Sequence, residues 1–447
     1  MNMIDFSKIP SKEKILEHAD VKAWNPRLGR PLVSLIIDVV VGDIRKRGSS
    51  DGVPDALEII HRVCSECRIW HRRRIVRVVN ATGILLHTNM GRSPILNETW
   101  ETVKDVNTGY SNLEFNLETG KRGKRNGLVP KLLNILTGGE ASMVVNNNAA
   151  AVFLVLSALG KGRDVIVSRG EQVQIGGGFR IPEILSLSGA RLVEIGTTNI
   201  TTLEDYKRAI HDDTACVLSV HRSNFAIRGF TSQPPLSEIK KILPENAFLF
   251  VDQGSGTLTE ELKGEPRVAS LIREGADLVT FSCDKVLGGP QGGVVTGKEF
   301  LIKKLEKHQL YRVFRPGKTV FSLLEDTLIR KLNGASFLQN HLFPDLEVLR
   351  HRAEAIIEAL PSGVATLTAT DCSSGGGSSP DETFPSFGIT LTPEISPDKL
   401  LSSLRDLEIP VIGYISDNHV CIDLAAVSPE DDGLLRKSLL FCIGKDS

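Results

Sequence analysis

The apolar positions along the chain change period twice. Up to about residue 75 they recur at helical spacing between Pro and Gly breaks, most clearly in Pro31 to Val41 and Pro54 to Val63, which predicts a small helical module. From Val76 to about residue 320, short β-branched runs alternate with helical stretches and glycine-rich turns. Ala141 to Val145, Asp164 to Val167, Arg191 to Ile195, Cys216 to Val220, Ala247 to Val251 and Asp277 to Phe281 read as buried strands. After Val320 the pattern predicts one long helical segment to about Leu360, a Ser/Gly-rich turn at Ser373 to Ser379, and strands such as Ser386 to Leu391 and Val420 to Leu424. The expected class is α/β with a mainly parallel central sheet covered on both faces. Three domains are expected: a helical one over 1–75, a large α/β one over 76–320 and a smaller α/β one over 321–447. Ligands of such sheets sit outside the carboxyl ends of the strands, so the residues just after each run carry the chemistry.

Composition narrows the function classes. The 447 residues hold 53 Lys plus Arg against 54 Asp plus Glu, a net charge of −1, which excludes a uniformly basic nucleic-acid coat but not a local patch. Such a patch is visible: residues 1 to 74 carry fourteen Lys and Arg against ten Asp and Glu, clustered at Arg45, Lys46, Arg47 and at Arg68, Arg72, Arg73, Arg74. No uncharged apolar run approaches the roughly 18 residues that cross a bilayer, and no secretory pattern opens the chain, so no membrane partner and a cytoplasmic location are expected. The seven cysteines do not form a disulfide framework, and the single CxxC of Cys64 and Cys67 has no second pair at zinc-ribbon spacing. No metal site is expected.

The chemistry concentrates at strand ends. In FSCDKVLGGPQGG, Phe281 to Gly293, Asp284 and Lys285 emerge from a strand just before a loop whose glycines let backbone approach a ligand. Thirty-three residues before Lys285, the strand in AFLFVDQGSG ends in Asp252. A carboxylate and an amine reaching one crevice from neighbouring strand tips are the two contacts a pyridoxal phosphate enzyme needs: one keeps the pyridine nitrogen protonated, the other holds the aldehyde as a Schiff base. Moving a lysine from about 10.4 to near neutrality requires roughly 4 kcal/mol, which a dry crevice can supply. Asn146, Asn147 and Asn148, ahead of three alanines that start an apolar helix, form the expected seat for the cofactor phosphate. In VHRSNFAIRGF, Ser223 or Asn224 is the expected contact to the phenolic oxygen, with the choice left open. Ser282 completes the set of expected cofactor contacts.

Seven segments in order, NATGILLHTNMGRSP, GYSNLEFNLETGKRGKR, VVNNNAAAV, SRGEQVQIGGGFRIPEI, EIGTTNITTLEDY, VHRSNF and FSCDKVLGGPQGG, closely resemble bacterial selenocysteine synthase, a fold-type I pyridoxal phosphate enzyme family. The chain departs from that family at Cys283, where Gly is usual, at Gln253, where Ala or Leu is usual, and over Glu171 to Gln174, where Glu-Leu-Val-Glu is usual.

The resemblance implies conversion of seryl-tRNA(Sec) to selenocysteyl-tRNA(Sec) with selenophosphate as donor, through loss of water to a dehydroalanyl-tRNA and addition of selenium. It implies that Lys285 holds the cofactor and removes the α-proton. Asp284 is a candidate acid for hydroxyl departure. Arg92, Arg312 and Arg315 match arginines placed around the donor anion, and spacing puts the last two on one face if they lie on a helix. The loop Lys121, Arg122, Lys124, Arg125 is expected to guide the tRNA end or reach a neighbouring subunit, and the N-terminal module to bind tRNA. A decamer built from dimers is expected. Two other readings stand beside this one: a pyridoxal phosphate-dependent lyase acting on a small amino acid or amino sugar acid, which would not need residues 1 to 74, and a catalytically silent tRNA-binding protein.

Overall fold

A computed structural model describes residues 9–47, 54–175, 178–223, 227–335 and 344–444. The chain divides into two compact units, one up to Val78 and one from Val79.

The first unit is helical among its described residues. Its two long helices are α1 (Arg30–Arg47) and α2 (Ala56–Arg72), preceded by three short ones. Val33, Ile36, Ile37 and Ile44 of α1 meet Ile59, Val63 and Cys67 of α2 in one buried cluster, as 3–4 spacing of apolar residues requires. Asp55 caps α2 by accepting the Glu58 N–H at 2.8 Å. Cys67 is part of this core, and burial pushes its thiol up to about 12, so the CxxC is a packed neutral pair.

The second unit is built on a seven-stranded sheet. Its strands are β1 (Ala141–Val145), β2 (Asp164–Ser168), β3 (Arg191–Ile195), β4 (Thr214–Val220), β5 (Phe248–Gly254), β6 (Leu278–Ser282) and β7 (Gly293–Gly297), in spatial order β1-β7-β6-β5-β4-β2-β3. All pairs are parallel except those of β7, which runs antiparallel to both neighbours. Both faces are covered. Helix α3 (Asn148–Val155) packs with Val167, Leu218 and Phe250 on one side, while Val129, Leu133, Phe321 and Leu324 pack with Val251 and Val279 on the other. This burial explains why the strands read as unbroken apolar runs rather than alternating ones.

Three expectations change. Among the described residues the long helical segment after Val320 is two helices, Lys318–Leu332 and Leu346–Ile357; the first ends at Asn333 and Gly334, the glycine at φ 79°, a conformation that closes helices. The Ser/Gly stretch is mostly strand: Ala365–Gly375 and Ser378–Leu391 pair antiparallel, leaving Gly376 and Gly377 at the turn. Finally, Val79–Asn80 pairs with Val411–Ile412 and Ile84–Leu86 pairs with Ala365–Gly375, so the segment placed at the start of the large domain belongs by hydrogen bonding to the C-terminal strands. Asp423, buried, clamps this junction by accepting from Thr370 Oγ1, Ser386 Oγ and the Ala425 N–H, with its own N–H donated to Ala81.

Candidate active site

The site lies where the tips of β4, β5 and β6 meet the start of α3. Asp252 occupies β5 directly beside Thr280 of β6, and in parallel pairing such neighbours point to the same face. Thr280 Oγ1 donates to Asp252 Oδ1 at 3.1 Å and Asn148 Nδ2 donates to the same oxygen at 2.8 Å. The residue is 3 % exposed. Burial raises its pKa, while those two hydrogen bonds and the Lys285 and His221 charges oppose the rise.

Lys285 is 7 % exposed, and no hydrogen bond or ion pair ends on its amine among the described residues. Burial, and after it the Arg92 guanidinium, lowers its pKa below the ordinary lysine range; Asp252, Asp284 and Glu265 pull the other way. The loop carrying Lys285 is fixed at both ends, because Cys283 N–H bonds Gly292 O at 2.9 Å, Gly289 N–H bonds Cys283 O at 2.8 Å and Val286 N–H bonds Ser255 O at 3.0 Å. Cys283 is fully buried against Gly292 with a thiol pushed up by desolvation, which fits packing and not nucleophilic chemistry.

The remaining expected residues divide. Asn147 caps α3 by accepting the Ala150 N–H at 2.8 Å, one of the first-turn donors a helix leaves without intrahelical partners. Asn148 turns to Asp252 instead of the phosphate seat, and its Oδ1 is buried without a partner. Asn146 is exposed and its N–H bonds Phe314 O at 2.9 Å. Ser223 and Ser282 are both buried at the strand tips; Asn224 lies outside the described residues. Arg92, at φ 63°, donates from its guanidinium to Asp284 Oδ2 at 2.8 Å, while Asp284 Oδ1 is buried without a partner. These two line a cavity of about 400 Å³ with Ser93, Gly289 and Gln291.

Arg312 and Arg315 do not share a helix face. The helix α4 (Gln309–Phe314) stops one residue before Arg315, which is extended at φ −73°, ψ 122° because Pro316 follows it. Arg312 is exposed, whereas Arg315 lies 3.6 Å from Glu114, a carboxylate shared with Arg122 at 3.2 Å and Arg125 at 2.6 Å. Arg125 also donates to Pro316 O at 3.2 Å, so the basic loop and Arg315 meet at one acidic residue.

A pyridoxal phosphate fits this donor set. A buried carboxylate with one oxygen already held, a buried amine on which its charge acts and, bonded to that carboxylate, an Asn148 whose Oδ1 is orphaned are groups costly to bury alone, and a polar ligand with an aldehyde and a basic ring nitrogen would satisfy them. Sequence reasoning missed Thr280 and the turn of Asn148 toward Asp252. Aligning β5 and β6 by their ends would have found the threonine.

The comparisons follow this geometry. The family described as "SelA: L-seryl-tRNA selenium transferase" matches residues 78–428. An L-seryl-tRNA(Sec) selenium transferase of Geobacter sulfurreducens is 39 % identical over 96 % of this chain and 97 % of its own. The one of Alkaliphilus oremlandii is 38 % identical over 95 % of this chain and 96 % of its own, and the one of Aquifex aeolicus 40 % over 82 % and 84 %. Among solved structures, a D-glucosaminate-6-phosphate ammonia-lyase covers 84 % of this chain and 98 % of its own at a TM-score of 0.60 and 19 % identity, a likeness of fold. With a family match over most of its length and relatives near 40 % identity end to end, the chain belongs to the L-seryl-tRNA(Sec) selenium transferase family.

Proposed function

We propose that this chain converts L-seryl-tRNA(Sec) to L-selenocysteyl-tRNA(Sec), with pyridoxal phosphate as cofactor and selenophosphate as selenium donor. The observation that carries the reading is the pairing of a buried Asp252 with a buried, unpaired Lys285 at adjacent strand tips, in a chain of this family. When bound, the cofactor supplies an electron sink for charge developing at the seryl α-carbon.

The protein's own groups do the rest. Lys285 holds the aldehyde and then takes the α-proton, a task suited to an amine whose ammonium form is disfavoured by burial. Asp252, steadied by Asn148 and Thr280, would hold the ring nitrogen and keep its proton in place. Asn147 and the start of α3 would hold the phosphate, and Ser223 and Ser282 would hold the ring. Arg92 presents a guanidinium beside Lys285 for the anionic donor, with Arg312 and Arg315 at the approach. Asp284 is already bonded to Arg92, and that ties its first role to orienting this arginine; to serve as the acid for the leaving hydroxyl its Oδ1 would first have to take up a proton, which the one that Lys285 removes would supply. The first unit, with exposed Arg45, Lys46 and Arg68, binds the tRNA body, and the subunits assemble as a decamer built from dimers. The lyase alternative has only the shared fold in its favour.

The test is mass spectrometry of the aminoacyl ester after incubation with seryl-tRNA(Sec) and selenophosphate. Selenocysteyl product from the full chain and none from Lys285→Ala supports the reading. A chain that binds pyridoxal phosphate yet leaves the seryl ester unchanged while releasing ammonia from small amino acids sinks it in favour of a lyase.

A further inference from the structure

Behind Asp252 lies a buried polar network that the proposed chemistry does not use. Glu265, with its side chain 1 % exposed, accepts from Ser255 Oγ at 2.7 Å and from Gln253 Nε2 at 3.5 Å, and its Oε2 stands 3.1 Å from His221 Nε2. The last contact is at ion-pair distance but not aligned as a hydrogen bond. Gln253 is fully buried and fully engaged: Nε2 also donates to Pro266 O at 3.2 Å and to Ser255 Oγ at 2.5 Å, while Oε1 accepts the Gly256 N–H at 2.7 Å. Ser255 Oγ in turn meets Thr257 Oγ1 at 2.9 Å.

Each end of this network stops at a residue that holds the site. His221 gives its backbone N–H to Asp252 O at 2.9 Å, and Ser255 O receives the N–H of Val286, next to Lys285, at 3.0 Å. The side chain of His221 is 21 % exposed, so the network opens at the crevice through this residue. Gln253 and Glu265 therefore sit where the tips of β4 and β5 and the lysine loop converge. A carboxylate and an amide buried this deeply cost free energy unless they are hydrogen-bonded, and the bonds that offset the cost here tie the strand tips to the lysine loop.

We propose that Glu265 is a positioning residue of the active site: through Ser255, Gln253 and His221 it holds the ends of β4 and β5 and the Lys285 loop in register. The inference rests on the proposed cofactor chemistry. Gln253 bridges Glu265 to Pro266 and Gly256, which an alanine or leucine at that place could not do. The charged groups around Lys285 are Arg92, Asp252, Asp284 and Glu265, with His221 on the Glu265 side. Removing one carboxylate from that set shifts the balance toward the neutral amine.

The test uses the full-length protein stripped of cofactor and titrated with pyridoxal phosphate, followed by its absorbance band and by the pH midpoint at which that band changes. Glu265→Gln keeps an acceptor for Ser255 and is expected to bind within about threefold of the unaltered protein but with its spectral midpoint moved down in pH. Glu265→Ala is expected to bind at least tenfold more weakly, and Gln253→Ala to lie between. An unmoved midpoint in Glu265→Gln overturns the proposal, and so does unchanged cofactor affinity in a folded Glu265→Ala. Where Glu265→Ala does not fold, the glutamine midpoint decides alone. Absence of any band in the unaltered protein instead removes the cofactor reading itself, which keeps the two failures apart.

Discussion

Asp252 and Lys285 are held by opposite means: the acid is hydrogen-bonded into place and the amine has no hydrogen-bond or ion-pair partner among the described residues. Asp252→Asn preserves shape but not charge. It is expected to retain the fold and lose at least about 100-fold in kcat, because the fixed charge opposite the ring nitrogen is gone. A second buried acid gives a pH signature of its own. Glu171, wholly buried, accepts from Ser219 Oγ and Gln233 Nε2, yet burial still pushes its pKa up from 4.5 to about 7. Between those two values the folded chain holds a proton that the unfolded chain has released. This contribution is therefore full below pH 4.5 and is lost as pH rises through about 7, a difference on the order of 3 kcal/mol. Denaturant titrations at a series of pH values are expected to show that fall, and Glu171→Gln to flatten it.

At the scale of elements, the phosphate seat depends on a strand that contributes no functional side chain. Gly293 of β7 lies so close to the turn before α3 that a Cβ there would strike the carbonyl of Asn147 and the amide of Asn148. Gly293→Ala is expected to displace that turn, lowering the melting temperature by several degrees and weakening pyridoxal phosphate binding more than tenfold, as overpacking against backbone costs roughly 1–3 kcal/mol. Thermal scans with and without cofactor separate the two effects. The sequence made the six parallel strands legible because each is an apolar run bounded by turn residues. It hid β7, whose glycine ends merge with the preceding loop, and the pairing of Ile84–Leu86 with Ala365–Gly375, since partners nearly three hundred residues apart leave no local period. Asp252 and Lys285 could be read from their strand tips. The separation of Arg312 from Arg315 was also legible, in the proline after Arg315, which disfavours helical backbone at that arginine. Glu265 gave no signal at all, because a loop carboxylate becomes buried only when the fold closes over it.

At the scale of the molecule, the proposed function assigns substrate holding to the first unit and chemistry to the second. The first has its own core of Ile15, Val33, Ile36, Ile59 and Val63, and its aromatic side chains are covered by cations: Arg27 stands 5.6 Å from the Trp24 ring and Arg73 5.4 Å from that of Trp70. Those arginines are partly occupied by the stacking, whereas Arg45 and Lys46 on α1 and Arg68 on α2 are exposed along the helices. A chain lacking Met1 to Val78 keeps every residue named in the cofactor site and is expected to show the same pyridoxal phosphate affinity while losing most of its affinity for seryl-tRNA(Sec). Phosphate contacts release counterions, so the logarithm of the full chain's binding constant should fall linearly with that of salt concentration, by roughly 0.7 to 0.9 per contact. Replacing Arg45 and Lys46 together with alanine is then expected to lower that slope by about 1.5 while leaving turnover at saturating tRNA unchanged. A slope that stays the same in the double variant would move the tRNA contact off α1, and a truncated chain that binds as tightly as the full one would move it off the first unit altogether.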